Sequence, residues 1–395
     1  MCIRSLLKQS FLGLGLFVVF AEDLSAATPR DWNGIVGSAS RFRSGTGVTF
    51  PLFYDLPEWS RSNAIDLDII TLNPAALSMV NDNRNRFVPL SAQGFVVGKA
   101  YDVTNAITAP TESSSEILAD IDADQGQVQR MHANAHMYYI LKNFAYSAHY
   151  VQQRNIWLEN SSENLYYQFF RDMRIQFSSG GQIFDSDIWG RLDFGTAIRG
   201  TVRYGAEKVQ SRSAITETSN FNGGQFLEQG MAIGLDYSLL WSSPNYDDTA
   251  WAYQLAIVGK DIGTSKFFKA EGLFRALGVS VPFSREFPSY PNDTILGFAL
   301  KLPNFRDGLR SAFRLEWSQW TRPISAANKV AVSYELRFPT LLSAYVGQRG
   351  SHTSGGLGLR FRGVELDLGT FVDLWGNNDA LEARRAWIME LRGAF

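Results

Sequence analysis

The ten residues that end this chain, AWIMELRGAF, alternate in polarity without a break. Successive side chains of an extended strand point to opposite faces. Trp387, Met389, Leu391, Gly393 and Phe395 therefore share one face, and Ile388, Glu390, Arg392 and Ala394 the other. A strand that is apolar and aromatic on one side and charged on the other suits a wall between lipid and a wet lumen.

The pattern recurs upstream. In SAFRLEWSQW, Phe313, Leu315 and Trp317 oppose Arg314, Glu316 and Ser318, and in KVAVSYELRF, Val330, Val332, Tyr334, Leu336 and Phe338 oppose Lys329, Ser333, Glu335 and Arg337. Further on, Leu357, Leu359 and Phe361 oppose Arg360 and Arg362, and Val364, Leu366 and Leu368 oppose Glu365 and Asp367. About 14 segments of strand length follow Ala133, among them Leu165 to Phe177, Gln229 to Trp241 and Ala250 to Gly259, each near the 9–11 residues that a tilted spanning strand needs. The expected fold is all-β, a transmembrane antiparallel β-barrel of about 14 strands. In a closed barrel Arg314, Glu316, Glu335, Arg337, Arg360, Glu365, Asp367, Glu390 and Arg392 line the interior as a charge network, where arginines and carboxylates satisfy one another. Trp241, Trp251, Trp317, Trp320, Trp375 and Trp387 fall near strand ends, where aromatic rings mark lipid–water interfaces. Arg362-Gly363 reads as a short periplasmic turn, and Val209 to Gln225 and Ser284 to Asp293 as surface loops.

Residues 1–27 read as an export signal. Arg4 and Lys8 precede an apolar core, Phe11 to Phe20, that is too short to span a bilayer, and Ser25-Ala26-Ala27 offers small residues for cleavage. Cys2 is the only cysteine and leaves with the signal, so neither disulfides nor thiolate metal sites are expected. No later apolar run has transmembrane-helix length. A mean hydropathy of -0.13 fits strands that are half wet. The net charge of -2, without a basic cluster, argues against a nucleic-acid partner.

Catalysis, metals and cofactors are not expected. The histidines are His132, His136, His149 and His352. His132 and His136 have the spacing of helical metal ligands, but HANAHMYY also alternates as a strand, and there no carboxylate joins them. A barrel hydrolase would need a histidine beside Ser or Asp in the wall, a place that His149 or His352 could nominally take.

Between the signal and the alternating region, residues 28–130 mix Gly, Ser and Asn-rich pieces with a short helix expected at Glu116 to Ile121. This stretch holds one compact motif, Leu72-Asn73-Pro74-Ala75-Ala76-Leu77, in which Asn-Pro can start a helical turn. An NPA-x-L box ahead of a barrel resembles the long-chain fatty acid outer-membrane transporter superfamily (FadL type), which also includes the shuttle barrel of type IX secretion. GLDYSLLW at 234–241, AYQLAIVGKDIG at 252–263 and SGGLGLRFRGVELDLGTF at 354–371 resemble its barrel segments. The chain departs from the family where SRSNAIDLDIITLNPAAL replaces a glycine-rich stretch upstream of the box.

The resemblance implies a 14-stranded barrel at 131–395 with residues 28–130 as an N-terminal hatch in its lumen. Asn73, Pro74, Ala75 and Leu77 would belong to that hatch and gate it. The terminal strand also resembles the assembly signal of bacterial outer-membrane barrels, with Trp387, Met389, Leu391 and Phe395 as the residues read by the barrel-assembly machinery. The expected location is the bacterial outer membrane, with its lipid as a partner. The implied function is passive transport of a hydrophobic or amphipathic small-molecule ligand. The alternative within the same superfamily is a protein-docking, secretion-associated barrel.

Overall fold

A computed structural model describes residues 73–79, 86–97, 129–141, 143–158, 164–211, 228–244, 251–260, 262, 293–302, 309–317, 325–338, 342–361, 364–375 and 382–393. Among them are fourteen strands: β1 (Arg86–Val97), β2 (Gln129–Leu141), β3 (Phe144–Leu158), β4 (Asn164–Ser186), β5 (Gly190–Ser211), β6 (Glu228–Ser242) and β7 (Ala252–Lys260), then β8 (Asp293–Leu302), β9 (Arg310–Trp317), β10 (Val330–Arg337), β11 (Leu342–Arg349), β12 (His352–Phe361), β13 (Val364–Trp375) and β14 (Glu382–Gly393). Each pairs antiparallel with its sequence neighbours, and β1 closes the sheet onto β14 from Leu90↔Gly393 to Val97↔Ala386. Closure removes the sheet edges and satisfies the backbone strand to strand, which a bilayer interior demands.

The alternation sorts side chains as expected. On β14, Trp387, Met389 and Leu391 are exposed at 70%, 58% and 47%, while Ala386, Ile388 and Glu390 are buried. Among the described residues, exposed apolar side chains recur on β2 to β7 and on β9 to β14, from Met137 and Tyr146 through Ile175, Ile198 and Leu235 to Leu315, Val346 and Leu368. No helix among the described residues is long and apolar enough to cross a membrane. An outward apolar belt on a closed wall is the pattern of barrels that cross with strands. Trp189, Trp241 and Tyr253 gather at one rim. The Trp241 indole N–H donates to the Trp189 carbonyl at 2.9 Å, and the Trp241 and Tyr253 rings meet edge to face at 5.3 Å.

Two expectations need correction. The barrel does not begin at 131: β1 lies inside the stretch assigned to the hatch. Pro89 hid it, because proline interrupts the ladder, and the β1–β2 register shifts between Val88 and Ser91. Strand lengths also exceed the expected 9–11 residues in β4 (23 residues) and β5 (22 residues), so this hairpin reaches past the β2–β3 turn, where the Gly180 N–H donates to the Asn143 carbonyl at 2.9 Å. The expected helix at Glu116 to Ile121 and the signal residues lie outside the described residues.

All six connections at the rim that carries the β4–β5 turn are short, while those leaving Val97, Ser211 and Lys260 at the opposite rim are long. Short periplasmic turns facing longer outer loops are the usual asymmetry of outer-membrane barrels. The expected turn Arg362-Gly363 lies outside the described residues, between the end of β12 and the start of β13. Val209 to Ser211 of one expected loop still belong to β5, and the loop itself leaves from the long-loop rim.

Aromatic rings laid on glycines let the wall curve. Tyr345 of β11 faces Gly356 of β12, which faces Gly369 of β13, and the phenol donates to the Leu368 carbonyl at 3.4 Å. A Cβ at Gly356 or Gly369 would strike the Tyr345 hydroxyl. Gly356→Val should lower folding stability by about 1–3 kcal/mol through overpacking. Tyr345→Ala in the same chain should relieve part of that loss. Denaturant titration of both chains in detergent checks this.

Candidate functional site

The Asn-Pro box forms a tight 3-10 turn, Pro74–Met79, as the dipeptide favours. Its backbone is held locally: the Asn73 side-chain carbonyl accepts from the Ala75 N–H at 3.2 Å, the Asn73 main-chain carbonyl from the Ala76 N–H at 3.0 Å, and the Ala75 carbonyl from the Ser78 hydroxyl at 2.7 Å. The side-chain nitrogen of Asn73 has no hydrogen-bond partner among the described residues. Asn73, Ala75, Ala76 and Leu77 are completely buried.

What buries them is the inner wall of β4, β5 and β6. Gly180 and Gly195 face each other across β4 and β5 and form a flat seat. A Cβ at Gly180 would lie 2.6 Å from the Pro74 carbonyl oxygen and 2.9 Å from Leu77 Cβ, and one at Gly195 would strike the Pro74 carbonyl carbon and the Ala75 nitrogen. Glycine is thus required here for close approach. The Ala75 N–H also donates to the Ser238 hydroxyl of β6 at 2.8 Å. At the short-turn rim Arg191 donates to the Ser78 carbonyl at 2.7 Å while its Nε pairs with Asp193 at 2.9 Å. Beside this seat Ala75 and Ala76 join Leu240, Ala256, Val258, Ile295, Ala299 and Ala312, inward residues of β6 to β9, in one apolar cluster.

Elsewhere the described inner face mixes apolar residues such as Ile140, Phe170 and Ile388 with buried polar clusters. Arg314 contacts Glu335 at 2.7 Å, and Glu335 also accepts from Arg337 Nε at 2.8 Å. Glu316 pairs with Arg349 at 3.1 Å, a residue the sequence reading did not select. Asp367 and Glu390 are buried and opposite in register; Glu365 stands opposite both Arg360 and Arg392. The side chains of Arg360, Glu365 and Arg392 are outside the described residues, as is Phe395. The structure therefore splits the expected charge network into separate clusters around the wall.

A denser network on β2 to β7 escaped the sequence reading. Asp172 takes Arg203 through Nε at 2.8 Å and Nη2 at 2.9 Å, and Arg174 at 2.9 Å. Asp236 bridges Arg199 at 3.0 Å and Lys260 at 3.1 Å. Amides continue the row, Arg130 to Gln153, Gln153 to Asn155 and Asn155 to Gln168, each at 3.2 Å. His132 and His136 stand on strand β2 and not on a helix, both facing inward; the His136 ring lies 5.4 Å from His149 and 4.7 Å from Tyr138. No group of three or more His, Cys, Asp or Glu able to hold a metal occurs among the described residues.

A closed antiparallel wall with an apolar outer belt, a charged inner face and a buried turn seated on that inner face defines a transmembrane β-barrel of the outer-membrane kind. No protein-family model matches the chain and no curated protein matches its sequence. Solved structures similar to it include the toluene transporter TbuX of Ralstonia pickettii, with 11% identity and a TM-score of 0.45 over 91% of this chain and 98% of that one. Another is a FadL homologue of Pseudomonas aeruginosa, with 13% identity and a TM-score of 0.45 over 91% and 98%. A third is the toluene transporter TodX of Pseudomonas putida, with 11% identity and a TM-score of 0.42 over 94% and 99%.

Proposed function

We propose that this chain is a FadL-type outer-membrane barrel for passive transport of hydrophobic or amphipathic small molecules, exported with its signal cleaved after Ala27. Residues around the Asn-Pro box act as the hatch that gates the lumen. The observation that supports this reading is the seat itself: a fully buried turn held against β4, β5 and β6, continuous with an apolar cluster on the inner wall. An apolar inner strip lets a hydrophobic molecule bury area while it moves down its own gradient. The turn is joined to the wall by few polar contacts, so it can shift while the barrel stays closed.

Gly195→Leu tests the gate. The added side chain must displace the backbone of Pro74 and Ala75, and overpacking of about 1–3 kcal/mol lowers the seated population roughly 5- to 150-fold relative to the unseated one. In liposomes, flux of a sugar-sized polar solute should rise and uptake of a neutral hydrophobe should change. Heat-modifiable migration should persist, since wall hydrogen bonds run strand to strand. Unchanged flux of both solutes, with a protein partner lost from pull-downs instead, would favour the docking function over transport.

A further inference from the structure

We propose that Arg191 is a latch with two rival carboxylates, Asp193 and Asp185, and that its choice between them sets how firmly the turn at Pro74–Met79 stays seated. The inference rests on the reading of that turn as a hatch and names its control point at the short-turn rim. In the seated arrangement Arg191 gives Nε to both oxygens of Asp193, at 3.0 and 2.9 Å, and Nη2 to the Ser78 carbonyl at 2.7 Å. Ser78 donates its hydroxyl to the Ala75 carbonyl, and the Ala75 N–H is held by Ser238. Arg191 thus closes one end of a chain of bonds that runs through the turn.

Asp185 of β4 stands directly opposite Arg191 of β5, so their Cβ atoms are about 5 Å apart on one face. Its charge also acts on Asp193. The two acids differ in setting, for the Asp193 side chain is fully buried and Asp185 is exposed. The backbone beneath them is fixed. Gly190 holds φ at +76° where a Cβ would strike the Ser242 carbonyl, and the Ser186 hydroxyl accepts from the Ile188 and Trp189 N–H groups at 3.3 Å. The Arg191 side chain, 19% exposed, is what can change partner.

An arginine grips a carboxylate best through two parallel N–H bonds. Either fork of the guanidinium includes Nη2, so a full grip on Asp185 takes Nη2 from the Ser78 carbonyl and the turn loses its rim contact. While Asp193 is charged, that move strips a buried carboxylate of its cation, which costs far more than an exposed pair returns. Arg191 therefore stays on Asp193. Neutralising Asp193 removes the cost, and Arg191 passes to Asp185.

Hydrogen exchange of the peptide that spans the turn reads its seating, because the Ala75 N–H reaches Ser238 only while seated. Followed by mass on the full chain in detergent, Arg191→Gln and Asp193→Asn should each speed exchange about tenfold or more over wild type. Adding Asp185→Asn to Asp193→Asn should bring exchange back to within about threefold of wild type, since no rival carboxylate then draws Arg191 away. Adding it to Arg191→Gln should change exchange by less than about twofold. An acid that only supports the wall gives no such rescue. Arg191→Gln alters a part-exposed residue and decides the matter even if Asp193→Asn fails to fold. Wild-type exchange in Arg191→Gln, or faster exchange in Asp193→Asn that Asp185→Asn leaves untouched, would overturn the latch. Exchange that follows the latch while polar-solute flux in liposomes stays constant would defeat the hatch reading alone. Flux that rises in Gly195→Leu, with exchange unchanged in Arg191→Gln, would defeat the latch alone.

Discussion

Asp172→Ala is expected to destabilise the folded barrel by about 3–5 kcal/mol, because removing one partner of a buried ion pair strands the other charge. Here two guanidinium groups lose this carboxylate at once. Arg203 grips both carboxylate oxygens and Arg174 shares one of them, and the three side chains are at most 2% exposed. The Arg203 guanidinium is also held 4.8 Å from the centre of the Phe170 ring, and that ring lies on Gly205, so the cation cannot swing toward water without unpacking the wall. Asp172→Asn keeps the size and one acceptor and should cost less. A combined Asp172→Leu, Arg174→Met and Arg203→Met chain should recover most of the stability, since apolar replacement of a whole buried network is often neutral. Denaturant unfolding in detergent reads all three. A loss under about 1 kcal/mol in Asp172→Ala would mean that water reaches these arginines and that the network is a wet surface.

The contrast between the two networks explains what the sequence could reveal. On β9 and β10 the alternation is strict, so Arg314, Glu316, Glu335 and Arg337 declare their face one residue at a time. On β4 the same rule is masked. Phe169 and Phe170 are both buried, and outward Arg171 keeps its charge beside Phe169, 4.8 Å from the ring centre, with Arg154 at 5.1 Å. Local polarity there does not report the face of Asp172 or Arg174. Which residue pairs with which is a matter of register between strands. That is why Arg349, Asp236 and Lys260 came to light only in three dimensions.

The Asn-Pro box was legible as a turn because proline constrains its own neighbourhood, whereas its seat was not. The chain has 34 glycines, and nothing local separates Gly180 and Gly195 from the rest. They matter because a segment about a hundred residues earlier in the chain closes on them, a distant contact without local signature. Strand β1 failed for the opposite reason. Its local signal, Pro89, was real but argued against a strand that neighbouring β14 and β2 nevertheless impose.

Leu315→Lys is expected to cost about 2–4 kcal/mol, the penalty for a cation on the lipid face near the bilayer midplane. Leu315 sits on β9 between Arg314 and Glu316, which both point inward, and its own side chain is exposed in the apolar belt with Phe313 and Trp317. It lies five residues from Arg310 at the short-turn rim, about 13 Å along the membrane normal for a strand tilted near 40°, which is close to the middle of an apolar band about 25 Å tall. Leu315→Met keeps an apolar side chain there and should change stability by less than about 1.5 kcal/mol. Reversible unfolding from lipid vesicles separates the two. In a detergent whose headgroups crowd the wall, the lysine can snorkel to water and its penalty should shrink. Equal stability of the lysine and methionine variants in vesicles would show that this face never meets lipid, and the outward belt would then have to be covered by protein.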